Sequence, residues 1–271
     1  MPDIPKFQAP NRRSRGLKFT LPIFTGMLVA AVALCAKADD TGAGNSDASG
    51  KYPSARQLLE NAVAGLPDKP LEISGEITVR RMRGVVVRKC GFQMNVNWGA
   101  DPMSARYTIL DESGRTLEQL TVERGSKSPP VFKYARGDPL EPDKMPDLLK
   151  PVQGSDMSWL DLTLSFLWWD NGKVTGAEDF RGFDCYVVNL PAPAKHSEHY
   201  SRVKLWIEKE INVMLKAEGF GPDGKLLRRL WVRSCKKIND TWMVKDLEVQ
   251  RFPVVHRTKL HIDEVRIRNL P

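Results

Sequence analysis

His196 and His199 stand three residues apart in HSEHY and come nearer than any other residues to a metal-binding pair. They lie in a proline-rich loop, and no further acidic or cysteine ligand stands at a supporting spacing, so surface histidines are expected and no metal site. Among carboxylates, Asp246, Glu248 and Glu218 show no spacing that makes an acid pair, which removes the basis for a glycosidase. The chain also lacks Gly-x-Ser-x-Gly, His-Glu-x-x-His, a phosphate loop and a dinucleotide fingerprint. No catalytic residue and no cofactor are expected, and an enzyme is not.

Sulfur chemistry is similarly limited. Three cysteines, Cys90, Cys185 and Cys235, lie beyond residue 38. An odd count in a domain of this length is not a disulfide framework, so at least one thiol is free. Cys185 and Cys235 can form a disulfide if their strands are neighbours; the alternative is that all three are buried thiols.

The most specific segment carries apolar surface in place of reactive groups. Residues 155–169 read SDMSWLDLTLSFLWW, with three of the seven tryptophans of the chain. Ser158-Trp159-Leu160-Asp161 has the form of a capping box, with Met157 and Leu162 at the staple positions, and Asn171-Gly172 supplies a stop. These signals predict a helix over residues 159–170. Beyond its cap only Thr163 and Ser165 are polar, so the helix is apolar nearly all round and must be buried or meet a greasy partner.

The elements that would hold this segment alternate with a period of two. Leu71, Ile73, Ile77 and Val79 interleave with Glu72, Ser74, Glu76 and Thr78, the pattern of a half-buried strand. Similar stretches recur at about 85–98, 104–111, 116–123, 173–179, 184–190, 201–208, 211–219, 225–235, 241–251 and 256–268, most of them separated by turn residues. About ten tightly linked strands imply an antiparallel meander, because parallel pairing needs long crossovers. Ahead of them, Ser54 caps a short amphipathic helix through Leu58, Leu59, Ala62 and Val63. Residues 125–154, with prolines at 129, 130, 139, 142, 146 and 151, read as loop. The expected fold is mainly β (α+β): a large curled antiparallel sheet forming an unclosed barrel, with helices covering its concave face.

The N-terminus reads as an export signal. Arg12, Arg13, Arg15 and Lys18 precede an uncharged run over residues 19–36, and Ala36-Lys37-Ala38 is a small-x-small cleavage site. The organisation is therefore a signal peptide over 1–38, a flexible leader over 39–51 and one folded domain over 52–271. An uncleaved anchor, or lipidation at Cys35, is the lesser alternative, since Leu34 is large where a lipidated cysteine follows a small residue. Residues 1–38 hold six Lys or Arg against one acid, so only +3 of the formal +8 belongs to the rest of the chain. Nucleic-acid binding loses most of its support on that ground. The basic clusters Arg80-Arg81-Met82-Arg83, Arg88-Lys89 and Arg228-Arg229 mostly fit the solvated outer face of strands, with docking of an anionic headgroup or a protein as the lesser alternative.

Several short motifs carry a family resemblance: Gly154 through Leu162, Gly176-Ala177-Glu178, Gly182-Phe183-Asp184-Cys185-Tyr186-Val187, and Tyr200 with Val203-Lys204-Leu205-Trp206-Ile207-Glu208. Together with Gly224-Lys225-Leu226-Leu227, Trp242-Met243 and Arg257-Thr258-Lys259-Leu260, they resemble the bacterial outer-membrane lipoprotein-sorting proteins of the LolA-like superfamily, over roughly residues 70–269. The resemblance implies a monomeric periplasmic carrier that takes lipoprotein acyl chains or another lipid into an apolar cavity. It also implies an inner-membrane donor and an outer-membrane acceptor, and no covalent chemistry. The residues expected to line that cavity are Trp159, Leu162, Phe166, Trp168 and Trp169, with Trp206 and Trp231 from the sheet. The alternative is a structural or interaction protein of the cell envelope, with the same aromatics in a closed core.

Overall fold

Alternating apolar residues build thirteen strands in one antiparallel sheet. The computed structural model describes residues 51–66, 68–126, 128–194, 200–238, 241–254 and 256–268, all within one compact unit spanning Asp47–Pro271. The expected signal peptide over 1–38 with Cys35, nearly all of the leader, and His196 and His199 lie outside the described residues.

The first meander comprises β1 (Leu71–Arg80), β2 (Val86–Asn97), β3 (Met103–Leu110), β4 (Thr116–Arg124), β5 (Val131–Arg136) and β6 (Glu141–Pro142). The second comprises β7 (Lys173–Phe180), β8 (Phe183–Pro191), β9 (Arg202–Glu208), β10 (Met214–Phe220), β11 (Leu226–Ile238), β12 (Thr241–Arg251) and β13 (Arg257–Ile267). Strand order is β6-β5-β4-β3-β2-β1-β13-β12-β11-β10-β9-β8-β7, so the two meanders join where β1 pairs with β13. The strands on either side of the central connection, β6 and β7, are thus the two free edges of the sheet. They do not pair, and the barrel stays open. Residues 143–172 must therefore travel from one edge to the other.

A sheet this wide twists and curls, and its inner face needs a largely apolar lining. Cross-strand partners supply it: Val174, Val188, Leu205, Ala217, Leu230, Val249, Thr258 and Val79 stand in register across eight strands, and all are buried. The helix α1 (Ala55–Ala64) is capped by Ser54, whose hydroxyl oxygen accepts from the Gln57 N–H, and it buries Ala55, Leu58 and Leu59. Gly172 gives it room: a Cβ there would lie 3.2 Å from that of Ala55 and 2.5 Å from the Leu190 side chain.

The structure corrects several expectations. Residues 125–154 hold two strands, β5 and β6; Pro142 is accommodated because β6 is an edge, where an amide N–H is not needed on the outer side. The helix expected over 159–170 is one short turn and a half, α2 (Trp159–Thr163). Leu164 then turns left-handed at φ 48°, and a 3-10 turn covers Ser165–Trp168. Thr163 supplies the reason: its hydroxyl donates to the Trp159 carbonyl and pairs with the Ser165 hydroxyl, so side-chain hydrogen bonds compete with the helical ladder. A left-handed leucine costs about 1–2 kcal/mol, which the burial of its neighbours outweighs. All three described cysteines are free; β9 and β10 separate Cys185 from Cys235, and Cys235 is exposed, not buried.

Candidate functional site

The connection across the open sheet is fastened by polar groups at three points along the inner rim. The central one is the helix start. Ser158 donates from its N–H (2.8 Å) and its hydroxyl (2.7 Å) to Asp161 Oδ2, while the Asp161 N–H donates back to Ser158 Oγ at 3.3 Å. The same Oδ2 accepts from Arg228 Nη1 at 2.7 Å, an ion pair with both side chains under 10% exposed. Nearby, the Asp156 N–H donates to Thr258 Oγ1 (2.8 Å) and the Thr258 hydroxyl donates to Asp156 Oδ2 (2.9 Å). Burial pushes the Asp156 carboxyl upward, and the Thr258 hydrogen bond only partly offsets it. At the third point Arg88 donates to the Gln153 carbonyl at 2.6 Å, and Gln153 donates to Glu118 Oε1 at 2.8 Å, while the Tyr134 hydroxyl donates to the other Glu118 oxygen.

Arg88 and Arg228 are corrections to the outer-face expectation. Arg228 shares its parity with Leu230 and Val232 and its register with Arg251; it is 6% exposed. The signal was present in the sequence, since a charge at an apolar-phase position of a strand points inward. Asp156, Thr258 and Tyr200 carried no comparable local mark.

Between these fastenings the apolar residues fill the hollow. Trp159, Leu162, Phe166 and Trp169 are buried, and Trp159 is 1% exposed, edge-on to Tyr134 with ring centres 6.2 Å apart. Trp168 is half-buried, with the Arg124 guanidinium 4.7 Å above its ring. Trp206 and Trp231 are on the other side of the sheet. Leu205 and Leu230 face the connection, so their successors face out. Trp206 donates its indole N–H to Glu178 Oε2 (2.8 Å) and lies under Lys216 (3.7 Å) and Lys204 (4.5 Å); Trp231 lies under Arg257. The seven aromatic and aliphatic residues thus divide into five on the connection and two behind the sheet.

Little open space adjoins Phe166 and Trp168. The gap bounded by Leu160, Phe166, Val203 and Leu230 is about 10 Å³, and that beside Trp168 is about 40 Å³. Two larger clefts flank residues 146–154. One, of about 500 Å³, is bounded by Lys150, Tyr200, Leu227, Arg228, Arg251 and Phe252; the other, of about 250 Å³, by Arg88, Glu118, Tyr134, Arg136, Gln153 and the expected cavity residue Trp159.

One triad-like cluster fails as a catalyst. Ser234 and His261 both bond to Asp246, so the carboxylate sits between hydroxyl and imidazole, and the histidine cannot take the serine proton. Lys259 also reaches Asp246 at 2.6 Å. Glu218 is held by Lys216 and Arg229, and Glu248 by Arg233, so no two carboxylates share a site among these three. Burial pushes the Cys185 thiol up to about 12, far from a reactive thiolate. Among the described residues no group of three or more His, Cys, Asp or Glu is placed to hold a metal ion.

A family model described as "Uncharacterized protein" matches residues 143–271, and no curated protein matches the chain. Solved structures do. A DUF1329 family protein from Desulfovibrio piger ATCC 29098 is 18% identical with a TM-score of 0.66, over 79% of this chain and 91% of that one. A domain named for outer membrane lipoprotein sorting, from Vibrio parahaemolyticus, is 16% identical with a TM-score of 0.66, over 79% and 93%. A LolA superfamily protein from Nitrosomonas europaea is 16% identical with a TM-score of 0.61, over 81% and 96%. At these identities the likeness is one of fold, and in fold the chain resembles these proteins of the LolA-like kind.

Proposed function

We propose that the protein is a periplasmic lipid carrier seen in its closed state. The observation that supports this reading is the connection over 143–172: an aromatic segment that lies across an unclosed sheet and is fastened by discrete polar contacts, not by strand pairing. Its occupant would be lipoprotein acyl chains or another lipid, received from an inner-membrane donor and passed to an outer-membrane acceptor without covalent chemistry.

The magnitudes are compatible with exchange. Burying an acyl chain is worth about 0.8 kcal/mol per methylene, so a sixteen-carbon chain supplies about 12 kcal/mol. Uncovering one large apolar side chain costs about 1.5–3 kcal/mol. A chain that takes the place of Trp159, Leu162, Phe166 and Trp169 therefore exchanges comparable amounts of buried surface. Trp206 and Trp231 take no part in this reading.

The filled hollow favours a second reading, an envelope structural or interaction module with the same aromatics as permanent core. Adding acyl chains while following tryptophan fluorescence, with native mass spectrometry of protein purified from its own envelope, separates the two. Quenching together with a co-purifying lipid is expected for the carrier. Absence of both removes it and leaves the module.

A further inference from the structure

We infer that the 500 Å³ cleft beside residues 146–150 is an anion site for the phosphate or carboxylate of an amphiphile headgroup; this deepens the carrier reading above and rests on it. Three cations line the cleft: Arg228 and Arg251, cross-strand partners on β11 and β12, and Lys150 on the connection. Asp147 is the acid on the same wall, and Asp161 holds Arg228 from one side. The decisive feature is two like charges side by side, since Arg228 and Arg251 are direct cross-strand partners and both border the cleft. Asp161 is bonded to Arg228, and the Nε–H of each guanidinium is buried without a hydrogen-bond partner among the described residues. Like charges directly opposite on adjacent strands destabilise each other, and an oxyanion in the cleft they border offsets that repulsion.

The rest of the wall is apolar. Leu227 and Phe252 border the guanidinium groups, and the ring of Tyr200 packs so closely on Gly219 that a Cβ there would stand 1.9 Å from Cε1. A wall with cations at its base and apolar surface beside them matches a headgroup with the start of a chain better than a bare ion. Both sources share the oxyanion, so the test must separate them.

Isothermal titration of the full chain with dodecyl phosphate, dodecyl maltoside and inorganic phosphate does so, with Arg251→Gln and Lys150→Gln as variants. Neither residue takes part in the fastenings, and cooperative thermal unfolding of each variant verifies its fold. Dodecyl phosphate is expected to bind at least tenfold more tightly than the maltoside, with most of that advantage lost in each variant. Inorganic phosphate binding as tightly as dodecyl phosphate, and with the same loss in the variants, supports the anion site and makes its occupant a free oxyanion. Equal binding of both amphiphiles, unchanged in the variants, overturns the anion site and leaves chain binding standing. Failure of both amphiphiles and of phosphate to bind overturns both readings.

Discussion

The two sides of the sheet solve the same problem, how to cover apolar strands, in opposite ways. On the inner side the cover is a separate stretch of chain, with Trp159 edge-on to Tyr134, Phe166 beside Val203 and Leu230, and Arg228 joined to Asp161. On the outer side the cover belongs to the strands themselves: the ammonium groups of Lys204 and Lys216 lie over Trp206, and the Arg257 guanidinium lies over Trp231. The difference teaches where change is possible. A strand cannot leave its sheet without breaking ladder hydrogen bonds, whereas the connection is held by side-chain contacts and by the burial of its apolar residues.

The sharpest way to break the contrast is to remove Asp161. Asp161→Ala leaves Arg228 buried without its partner, and about 3–5 kcal/mol of stability should be lost in urea unfolding. Asp161→Leu combined with Arg228→Met should recover only part of that loss, because an apolar pair needs no charge compensation but leaves the buried Ser158 N–H and hydroxyl without their acceptor. Next, Gly219→Ala puts a methyl group into the Tyr200 ring and should cost about 1–3 kcal/mol by the same measurement. On the outer side, Trp206→Phe removes the hydrogen bond to Glu178 and should cost about 1 kcal/mol, with acyl-chain binding unchanged if the inner face alone takes the chain.

The smallest effects concern pH, and they run in opposite directions on the two sides. On the outer face, burial pushes the Asp246 carboxyl up, but hydrogen bonds from Lys259, Ser234 and His261 outweigh it and hold the group well below the usual carboxylate range. Its folded-state pKa lies under the unfolded one, so its contribution is complete above the ordinary value of 3.8 and fades as pH falls below it. Asp246→Asn should lower stability at pH 7 and flatten its acid dependence. Asp156 has the reverse shift: its charged form is penalised by burial, and the penalty disappears as pH falls through the raised pKa. Asp156→Asn should leave stability at pH 7 equal or slightly higher, and stability at pH 4 nearly unchanged. Unfolding curves at both pH values check the pair.

Much of the architecture is legible locally because strand alternation, turn residues and the Ser158–Asp161 box act over a few positions. The end of α2 is not, since Thr163 and Ser165 form their competing hydrogen bonds only with the backbone already in place. The outward direction of Trp206 and Trp231 follows from the phase of Leu205 and Leu230, which becomes certain only once the inner face is known.

The sequence by itself determined the antiparallel meander, the capping box and the apolar excess of residues 155–169, since each depends on neighbours within a few positions. Only the tertiary structure decided that this segment fills the hollow, that Arg228 meets Asp161 from 67 residues away, and that Arg251 stands beside it over an open cleft. Those outcomes rest on which strands become edges and which pair. Long-range pairing sets that, and no local pattern records it.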